Sequence, residues 1–527
     1  MAKFIFVVGG VYSGTGKGVA SASIGFLLKE RNLKVQMLKL DPYLNVNAGI
    51  IRPSDHGEVY VCDDGSEIDL DAGTYYRIAN EETSKDSICT SGTLYKELIF
   101  DQENGKYLGQ TLQITPHMTE KITSKLLNVE KDNDVVIVEI GGTVGDSESF
   151  AFFETIRQFK QNKDCMIIMV APIIWADTIK EFKTKPLQNS VKELQKCGLF
   201  PDILLCRSNF KLPNSILEKT SSMTGIPLEM VFSCPDVSSL YDVPIEFYNL
   251  HIDDIIVDRF RLKRNVCKIH SYKELIDKSK KFEKYTNIAV VCKYDNSEAY
   301  LSLKEAIHHA AIHNDCKANI YFINSDFFEN KNQLQELNKY NAVIVPGGFD
   351  YRGVEGKINA IKHCRENKIP FLGICLGLQC AVIEFARNIC GIKDANSLEF
   401  EKDCKNPVIN YVLGQKDIQQ MSGTMRLGAY NCKLQTNSLA NISYNNTLIS
   451  ERHRHRYEVN SEYKPILEKN GFIVSGVNPE TGLIEIMELD TKIHPFFIGI
   501  QAHPEFKSRL LNPSPLFVSL IKESLKK

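Results

Sequence analysis

Apolar residues along this chain gather in short, unbroken runs separated by longer stretches of mixed polarity. Residues 4–8, 35–40, 135–140, 166–171 and 203–206 are such runs. They are too short for helices and lack the alternation of a half-exposed strand, so they predict strands buried on both faces. Residues 19–30 carry helical spacing and open directly after a glycine-rich stretch. Strands alternating with helices predict a parallel, doubly wound α/β sheet. A second series of runs at 288–292, 319–323, 342–345 and 371–374, with a helix expected at 301–311, repeats the pattern. Between 259 and 285 lysines and arginines dominate, among them Arg261, Lys263, Arg264, Lys268, Lys273, Lys278 and Lys284. That stretch reads as a solvated helix or linker. The expected organisation is therefore α/β with two domains, 1–265 and 287–527, joined by a basic linker at 266–286. The length of 527 residues agrees, because a single core stops growing near about 250–300 residues.

Composition narrows the partners. Hydrophobic residues make up 43% of the chain, charged residues 24%, and the formal net charge is -2. No basic field points to nucleic acid or a membrane surface, so anionic ligands must be held by local loops and lysines. No run approaches the ~18 apolar residues of a membrane span, and the apolar opening at 4–8 is too short for a signal sequence. The 15 cysteines are scattered, with no paired Cys-x-x-Cys units. This favours a reducing, cytoplasmic setting in which most thiols act as small buried hydrophobes.

One cysteine differs in its surroundings. Gly373-Ile374-Cys375-Leu376-Gly377 follows an apolar run and precedes a helical pattern. Flanking glycines allow a turn too tight for side chains, so this is a nucleophile elbow with sulfur in place of oxygen. A helix N-terminus beside the thiol favours the thiolate. Gln501-Ala502-His503-Pro504-Glu505 offers a base, with Glu505 placed to orient the His503 ring. Pro346-Gly347-Gly348-Phe349, after another strand, offers open backbone amides for an oxyanion. A lone buried cysteine is ordinarily structural and a lone Gly-Gly is ordinarily a loop; the three motifs in this order are far more specific. The run Glu451-Arg452-His453-Arg454-His455-Arg456 reads as a strand, with both histidines on the face opposite the arginines. Metal binding there is not favoured, for want of a carboxylate or thiol partner.

The first half carries a phosphate loop. Gly9-Gly10-Val11-Tyr12-Ser13-Gly14-Thr15-Gly16-Lys17-Gly18 joins a strand to a helix, and such a loop cradles phosphates on its amides and the helix dipole. It is not a standard P-loop: Val11 stands where glycine belongs, and Gly18 stands where a magnesium-binding Ser or Thr belongs. Carboxylates must then hold the metal, with Asp69, Asp71 and Glu139 as candidates. Lys180, Lys183 and Lys185 form a cluster that could hold a second triphosphate.

The second half resembles the class I glutamine amidotransferases. The resemblance implies Cys375 as nucleophile, His503 as base and acid, and Glu505 as its orienter. Gly348 and the Leu376 amide would serve the oxyanion, with Gly377, Leu378, Gln379, Glu399 and Arg456 around the glutamine substrate. The whole chain resembles the CTP synthase family in several stretches: Lys39-Leu40-Asp41-Pro42-Tyr43, His56-Gly57-Glu58-Val59, Glu139-Ile140-Gly141-Gly142-Thr143, Lys183-Thr184-Lys185-Pro186, Tyr351-Arg352-Gly353-Val354-Glu355-Gly356 and Gly423-Thr424-Met425-Arg426-Leu427-Gly428.

That resemblance implies an N-terminal amidoligase with a P-loop-like doubly wound sheet, in which ATP activates UTP for amination to CTP by glutamine-derived ammonia. Lys17 and Lys39 would act on the transferring phosphoryl group, and Asp71 and Glu139 would carry Mg2+. Ser13, Gly14, Thr15, Gly16, Lys17, Gly18, Val19, Asp71, Arg207 and Asp236 would bind ATP. Ser13, Gln113, Asp146, Ser147, Glu148, Lys183, Thr184, Lys185, Pro186, Leu187, Gln188 and Lys219 would bind UTP or CTP. It further implies CTP feedback, GTP activation near Tyr351-Arg352-Gly353, an ammonia gate at Pro53, His56 and Val59, and homotetramers that stack into filaments. Four positions depart from the family pattern: Asp350 in the GTP lid, Asn47 and Tyr76 near the nucleotide site or its tetramer contacts, and Ser147 in the CTP segment. The competing readings are an amidotransferase with another acceptor, which Lys183-Thr184-Lys185-Pro186 argues against, and a non-catalytic scaffold, which the full triad argues against.

Overall fold

The structure, a computed structural model, describes residues 2–51, 57–294, 297–349, 351–411 and 425–527. The expected gate residues Pro53 and His56, the departure at Asp350, and Gly423-Thr424 lie outside the described residues.

The chain forms two compact units. The first comprises Met1–Ala48 and Asp71–Ile276; the second comprises Gly49–Leu70 and Asp277–Lys527. A single cut in the sequence therefore does not separate them, because residues 49–70 belong with the C-terminal half. The basic stretch is helical in part, one of the two readings its charge allowed. Helix His270–Ser279 runs through it, with Tyr272 and Ile276 buried four residues apart, and the next strand starts at Tyr285.

The first unit holds a seven-stranded sheet in the order Val231–Pro235, Ile203–Ser208, Cys165–Pro172, Lys3–Gly9, Val135–Ile140, Val35–Asp41, Ile88–Thr90. Every pairing in it is parallel. Phe4, Ile5, Phe6, Val7 and Val8 are wholly inaccessible, which explains why their run shows no alternation: helices cover both faces. In open parallel sheets, ligands gather beyond the carboxyl ends of the strands. Here those ends carry Gly9, Lys39 with Asp41, Glu139 and Arg207.

The second unit holds a nine-stranded sheet. Lys317–Asn324, Tyr285–Cys292, Ala342–Val345, Phe371–Ile374 and Phe497–Ile500 lie side by side in parallel. Ile484–Leu489, Phe472–Val477, Arg426–Leu434 and Leu448–His455 extend it as antiparallel strands. Three adjacent parallel strands, ending at Val345, Ile374 and Ile500, release 346–349, Cys375 and 501–505 at the same edge. Segments more than 100 residues apart in sequence are thereby brought together.

All 15 cysteines are free thiols, and all but Cys197, Cys390 and Cys404 are buried.

Candidate active site

In the second unit the strand Phe371–Ile374 turns sharply at Cys375 into helix Leu376–Asn388. Cys375 has φ 52° and ψ -104°, a strained conformation for a residue with a side chain. Its amide donates to the Ile500 carbonyl at 2.7 Å, which holds the turn against the neighbouring strand. The flanking glycines are required by space. A Cβ on Gly373 would sit 2.8 Å from the Gly377 backbone, and one on Gly377 would sit 2.0 Å from the Val345 carbonyl oxygen.

His503 stands beside the sulfur. Its Nδ1 is 2.7 Å from Glu505 Oε1, its amide donates to the Arg452 carbonyl at 2.7 Å, and its ring stacks on Phe506 at 5.1 Å. Burial presses the imidazolium pKa down, but the Glu505 carboxylate and a hydrogen bond with Cys375 more than offset this, and it is pushed up to about 10. His503 thus holds its proton at neutral pH beside the sulfur. Gly347 lies over both groups: a Cβ there would be 2.8 Å from His503 Cε1 and 3.6 Å from Cys375 Cβ. A cavity of ≈ 70 Å³ opens onto Cys375, His503, Gly347, Gly348, Tyr294 and Arg454.

Of the residues expected around glutamine, Gln379, Glu399 and Arg456 converge on Tyr457. Gln379 Nε2 donates to the Tyr457 carbonyl at 2.8 Å. Burial, then Tyr411, then the Glu399 carboxylate push the Tyr457 phenol up, while Arg456 pulls it down. Leu378 and Gln379 are buried on the first turn after the elbow, and Leu376 packs toward Gly348. The sequence reading missed Gln501, whose Nε2 donates to Cys375 Sγ at 3.6 Å and whose Oε1 accepts from Gln379 at 3.3 Å. It stands two residues before His503 on the same segment.

Leu448–His455 is a strand, as its alternation predicts. His453 Nδ1 and His455 Nε2 are 3.0 Å apart, and His455 Nδ1 donates to the Tyr457 carbonyl at 3.0 Å. Burial pushes the pKa of His455 down to about 3 and that of His453 well below its ordinary value, so both are neutral. Arg454 donates to Glu67 at 2.8 Å, while Arg452 is fully buried and pairs with Asp63 and Tyr60. These acidic partners belong to residues 49–70.

In the first unit Gly14 (φ 69°) and Gly16 (φ 85°) turn the loop into helix Lys17–Glu30. Lys17 Nζ donates to the Gly142 carbonyl at 3.0 Å. The Val11 amide donates to Ser190 Oγ at 3.0 Å. The Thr15 hydroxyl is buried and has no partner among the described residues; Ser13 is exposed and Val19 half-buried. Gly18 has a physical reason to lack a side chain. A Cβ there would lie 2.5 Å from Asp71 Oδ1 and 3.5 Å from Glu139 Oε2. The place of the missing hydroxyl is thus taken by two carboxylates.

Asp71 pairs with Lys39, which also lies 3.1 Å from Asp41. Glu139 accepts from the Tyr75 hydroxyl, and burial followed by repulsion from Asp71 raises its pKa. Two converging hard oxygen ligands with nearby lysines suit Mg2+ completed by phosphate oxygens. Among the described residues no group of three or more His, Cys, Asp or Glu side chains could hold a metal ion on its own.

Arg207 donates to the Cys234 and Pro235 carbonyls at 2.9 and 3.0 Å and to Asp236 at 2.7 Å. It borders a largely apolar cavity of ≈ 210 Å³ with Gly16, Val19, Leu240 and Phe247. Ser147 and Glu148 line a second cavity of ≈ 240 Å³ with Pro42, Tyr95, Ile114 and Phe152. Asp146 accepts from Thr143 beside it, and Gln113 is exposed at the edge of the same region, its amide donating to His117. Lys183 ends a short strand and pairs with Glu181 at 2.8 Å. Lys185 and Pro186 open helix Lys185–Lys196, which buries Leu187 and Gln188. Gln188 donates to Thr184 Oγ1 at 2.9 Å. The hydrogen bond from Lys183, then its charge and, more weakly, that of Lys219 hold the Glu181 carboxyl below its usual range.

Known proteins show the same two-part composition. The family described as CTP synthase N-terminus matches residues 3–262, and glutamine amidotransferase class-I matches residues 296–523. A CTP synthase of Methanococcus maripaludis is 44% identical over 535 residues, covering 100% of both chains. One of Cyanothece sp. is 46% identical over 527 residues, covering 99% of this chain and 96% of the relative. A solved glutaminase domain of Trypanosoma brucei CTPS with bound acivicin is 34% identical, covers 46% of this chain and 94% of that one, and superposes with a TM-score of 0.43. The chain belongs, over its full length, to the CTP synthase family, with a class I glutamine amidotransferase domain in its C-terminal half.

Proposed function

We propose that the protein makes CTP, joining ammonia freed from glutamine in the second unit to a UTP activated by ATP in the first. The net reaction is ATP, UTP, glutamine and water to ADP, phosphate, CTP and glutamate, a step of pyrimidine nucleotide synthesis. The observation that carries this reading is one chain holding both the buried Cys375–His503–Glu505 constellation and a phosphate loop backed by Lys17, Lys39 and two carboxylates.

In the second unit the Cys375 thiolate attacks the side-chain carbonyl carbon of glutamine. The carbonyl electron pair moves onto oxygen, facing the Gly348 and Leu376 amides. His503 gives its proton to the departing nitrogen, and ammonia leaves a thioester on sulfur. The now neutral imidazole removes a proton from water, which cleaves the thioester to glutamate and restores the thiolate. Glu505 holds the His503 ring throughout. Gln379, Glu399 and Arg456, around Tyr457, take the α-amino and α-carboxylate ends of the substrate, with Gly377 and Leu378 shaping the turn beneath it.

In the first unit the loop amides from Ser13 to Gly18 cradle ATP phosphates, and Arg207 and Asp236 border the base. Lys17 and Lys39 face the phosphoryl group that passes to the uracil O4, making that oxygen a leaving group. Asp71 and Glu139 would hold Mg2+, which when bound neutralises charge on the phosphates. Ammonia then bonds to C4 and phosphate leaves. Gln113, Lys183, Thr184, Lys185, Pro186, Leu187, Gln188 and Lys219 would hold UTP. CTP would share the triphosphate end of that site, with Asp146, Ser147 and Glu148 beside its base.

GTP would act as activator near Tyr351, Arg352 and Gly353, where Arg352 ties to Asp326 and to the Lys293 carbonyl. The working protein would be a cytoplasmic homotetramer able to stack into filaments. None of the helices in the described residues is long and apolar enough to cross a membrane.

The test is incubation with glutamine, ATP, GTP, Mg2+ and UTP, followed by analysis of the nucleotide bases. CTP, with glutamate and ADP in equal amounts, is expected. Its absence at every enzyme concentration would overturn the reading.

A further inference from the structure

Two lysines lie buried behind the Gly-Gly stretch that faces Cys375. Lys293 follows strand Tyr285–Cys292 and is 1% exposed; Lys357 stands on helix Val354–Glu366 and is 0% exposed. Lysine is almost never fully buried without a partner, and neither residue has a part in the chemistry above. Their ammonium groups converge on one short segment. Lys357 Nζ donates to the Pro346 carbonyl at 2.8 Å, and Lys293 Nζ donates to the Phe349 carbonyl at 3.0 Å. The stem of Lys293 also supports Gly348, since a Cβ on that glycine would meet its Cδ at 3.2 Å.

The segment needs such support. Gly347 must be glycine because a Cβ would strike the His503 ring, yet a Gly-Gly pair is the least constrained dipeptide a chain can contain. Each end of it is held by a buried ammonium. In a trans peptide the carbonyl and amide point in opposite directions. Fixing the Pro346 carbonyl on Lys357 therefore turns the Gly347 amide away from Lys357. Charge adds to geometry. Among the described residues Lys357 has no carboxylate partner, so a negative charge developing nearby is stabilised more strongly than it would be in water. Burial pushes the Lys357 pKa down to about 8, which leaves it mostly charged at neutral pH. The titratable groups that face it are Lys293, Cys292, Cys375 and Cys380.

We propose that Lys293 and Lys357 are positioning residues for glutamine hydrolysis: they pin the two ends of 346–349 so that the Gly348 amide meets the oxygen that becomes negative when Cys375 attacks, and they place positive charge behind it. The proposal rests on the reading of Cys375 as the nucleophile. It deepens that reading by assigning a role to two side chains that touch neither glutamine nor the sulfur.

The test uses the full-length enzyme with Lys293→Met and Lys357→Met, singly and together. The probe is an aldehyde analogue of glutamine, whose carbonyl adds to the Cys375 sulfur with transfer of one proton to its oxygen, giving a tetrahedral hemithioacetal. Each single variant is expected to lower kcat for glutamine hydrolysis about 10-fold and the double variant about 100-fold. KM should stay within about threefold, and aldehyde affinity should fall in step with kcat. CTP formation from ammonium should be unchanged and reports that the fold is intact. Aldehyde affinity and kcat within twofold of wild type in both single variants would overturn the proposal, as would a KM that rises as far as kcat falls.

Should a variant lose ammonium activity as well, the wild-type protein decides. Its aldehyde affinity should decline as pH passes about 8, whereas a flat profile up to about 9 would overturn the proposal. Failure of the underlying reading is separately visible, because the aldehyde would then add no mass at Cys375 in the wild-type enzyme.

Discussion

The thiol site and the phosphate site solve opposite problems. Around Cys375 nearly every partner is already in place: the elbow is strained and locked to Ile500, His503 is clamped between Glu505 and Phe506, and Gly347 leaves just enough room above them. The cavity is small, ≈ 70 Å³. Around the phosphate loop the charged groups instead satisfy one another. Lys39 pairs with Asp71 and Asp41, Lys17 leans on the Gly142 carbonyl, and Lys183 pairs with Glu181, while Ser13, Asp146, Ser147 and Glu148 stand exposed. The lesson is about where preorganisation is useful. A covalent nucleophile needs fixed geometry and a stabilised ion pair before substrate arrives. A site for two triphosphates must first release internal counter-ions and trade them for phosphate oxygens.

The largest effect should come from breaking the preformed site. Cys375→Ala should lower glutamine hydrolysis by at least about 10³-fold, since no other group can form the thioester; a glutaminase assay reads this directly. Next is the self-paired site. Asp71→Asn removes the charge of one partner of Lys39 and one of two carboxylates over Gly18, so CTP formation should fall about 10²-fold with either nitrogen source. Steady-state kinetics with glutamine and with ammonium distinguish that outcome from a loss confined to glutamine.

Glu505→Gln keeps the ring in place but removes the charge that raises His503. Glutamine hydrolysis should drop about 10²-fold, and its dependence on pH should move. In the wild type His503 has its pKa raised to about 10, so the imidazolium is present below that value and lost as pH climbs through it. Hydrolysis should accordingly fall in two alkaline stages, partly through about 8 as Lys357 deprotonates and fully through about 10 as His503 does. In Glu505→Gln the final stage should move toward the ordinary histidine value. A pH–rate profile from 6 to 10.5 or so checks both stages. The smallest effect is Gly18→Ala, whose Cβ would crowd Asp71 Oδ1 at 2.5 Å. Because that side chain can shift, a loss of only about 10-fold in kcat for CTP formation is expected, with glutamine hydrolysis unchanged.

What the sequence disclosed follows from what is local. The buried strands were visible because a strand covered on both faces has to be apolar at every position, as residues 4–8 are. The elbow was visible because its steric demands, a glycine on each side of Cys375, act within five residues. The absent hydroxyl at Gly18 pointed to carboxylates, and the folded chain sets Asp71 and Glu139 beside that position. Lys293, Lys357 and Gln501 were not legible in these roles, because a lysine or glutamine that will be buried carries no nearby signature; its acceptors lie on other elements. Charge left the 259–285 stretch open between a solvated helix and a linker; helix His270–Ser279 takes the first, and what the charge hid is its two buried positions, Tyr272 and Ile276. The membership of residues 49–70 in the second unit was equally hidden, since it depends on tertiary pairs such as Glu58 with Ser302 and Arg454 with Glu67.

The central claim, separate chemistry in two halves of one chain, is tested most directly by assaying Cys375→Ala and Lys17→Ala side by side for glutamine hydrolysis and for CTP formation from ammonium. The account predicts a crossover: Cys375→Ala loses hydrolysis and keeps ammonium-driven synthesis, while Lys17→Ala keeps hydrolysis and loses synthesis. Equal loss of both activities in both variants would contradict it.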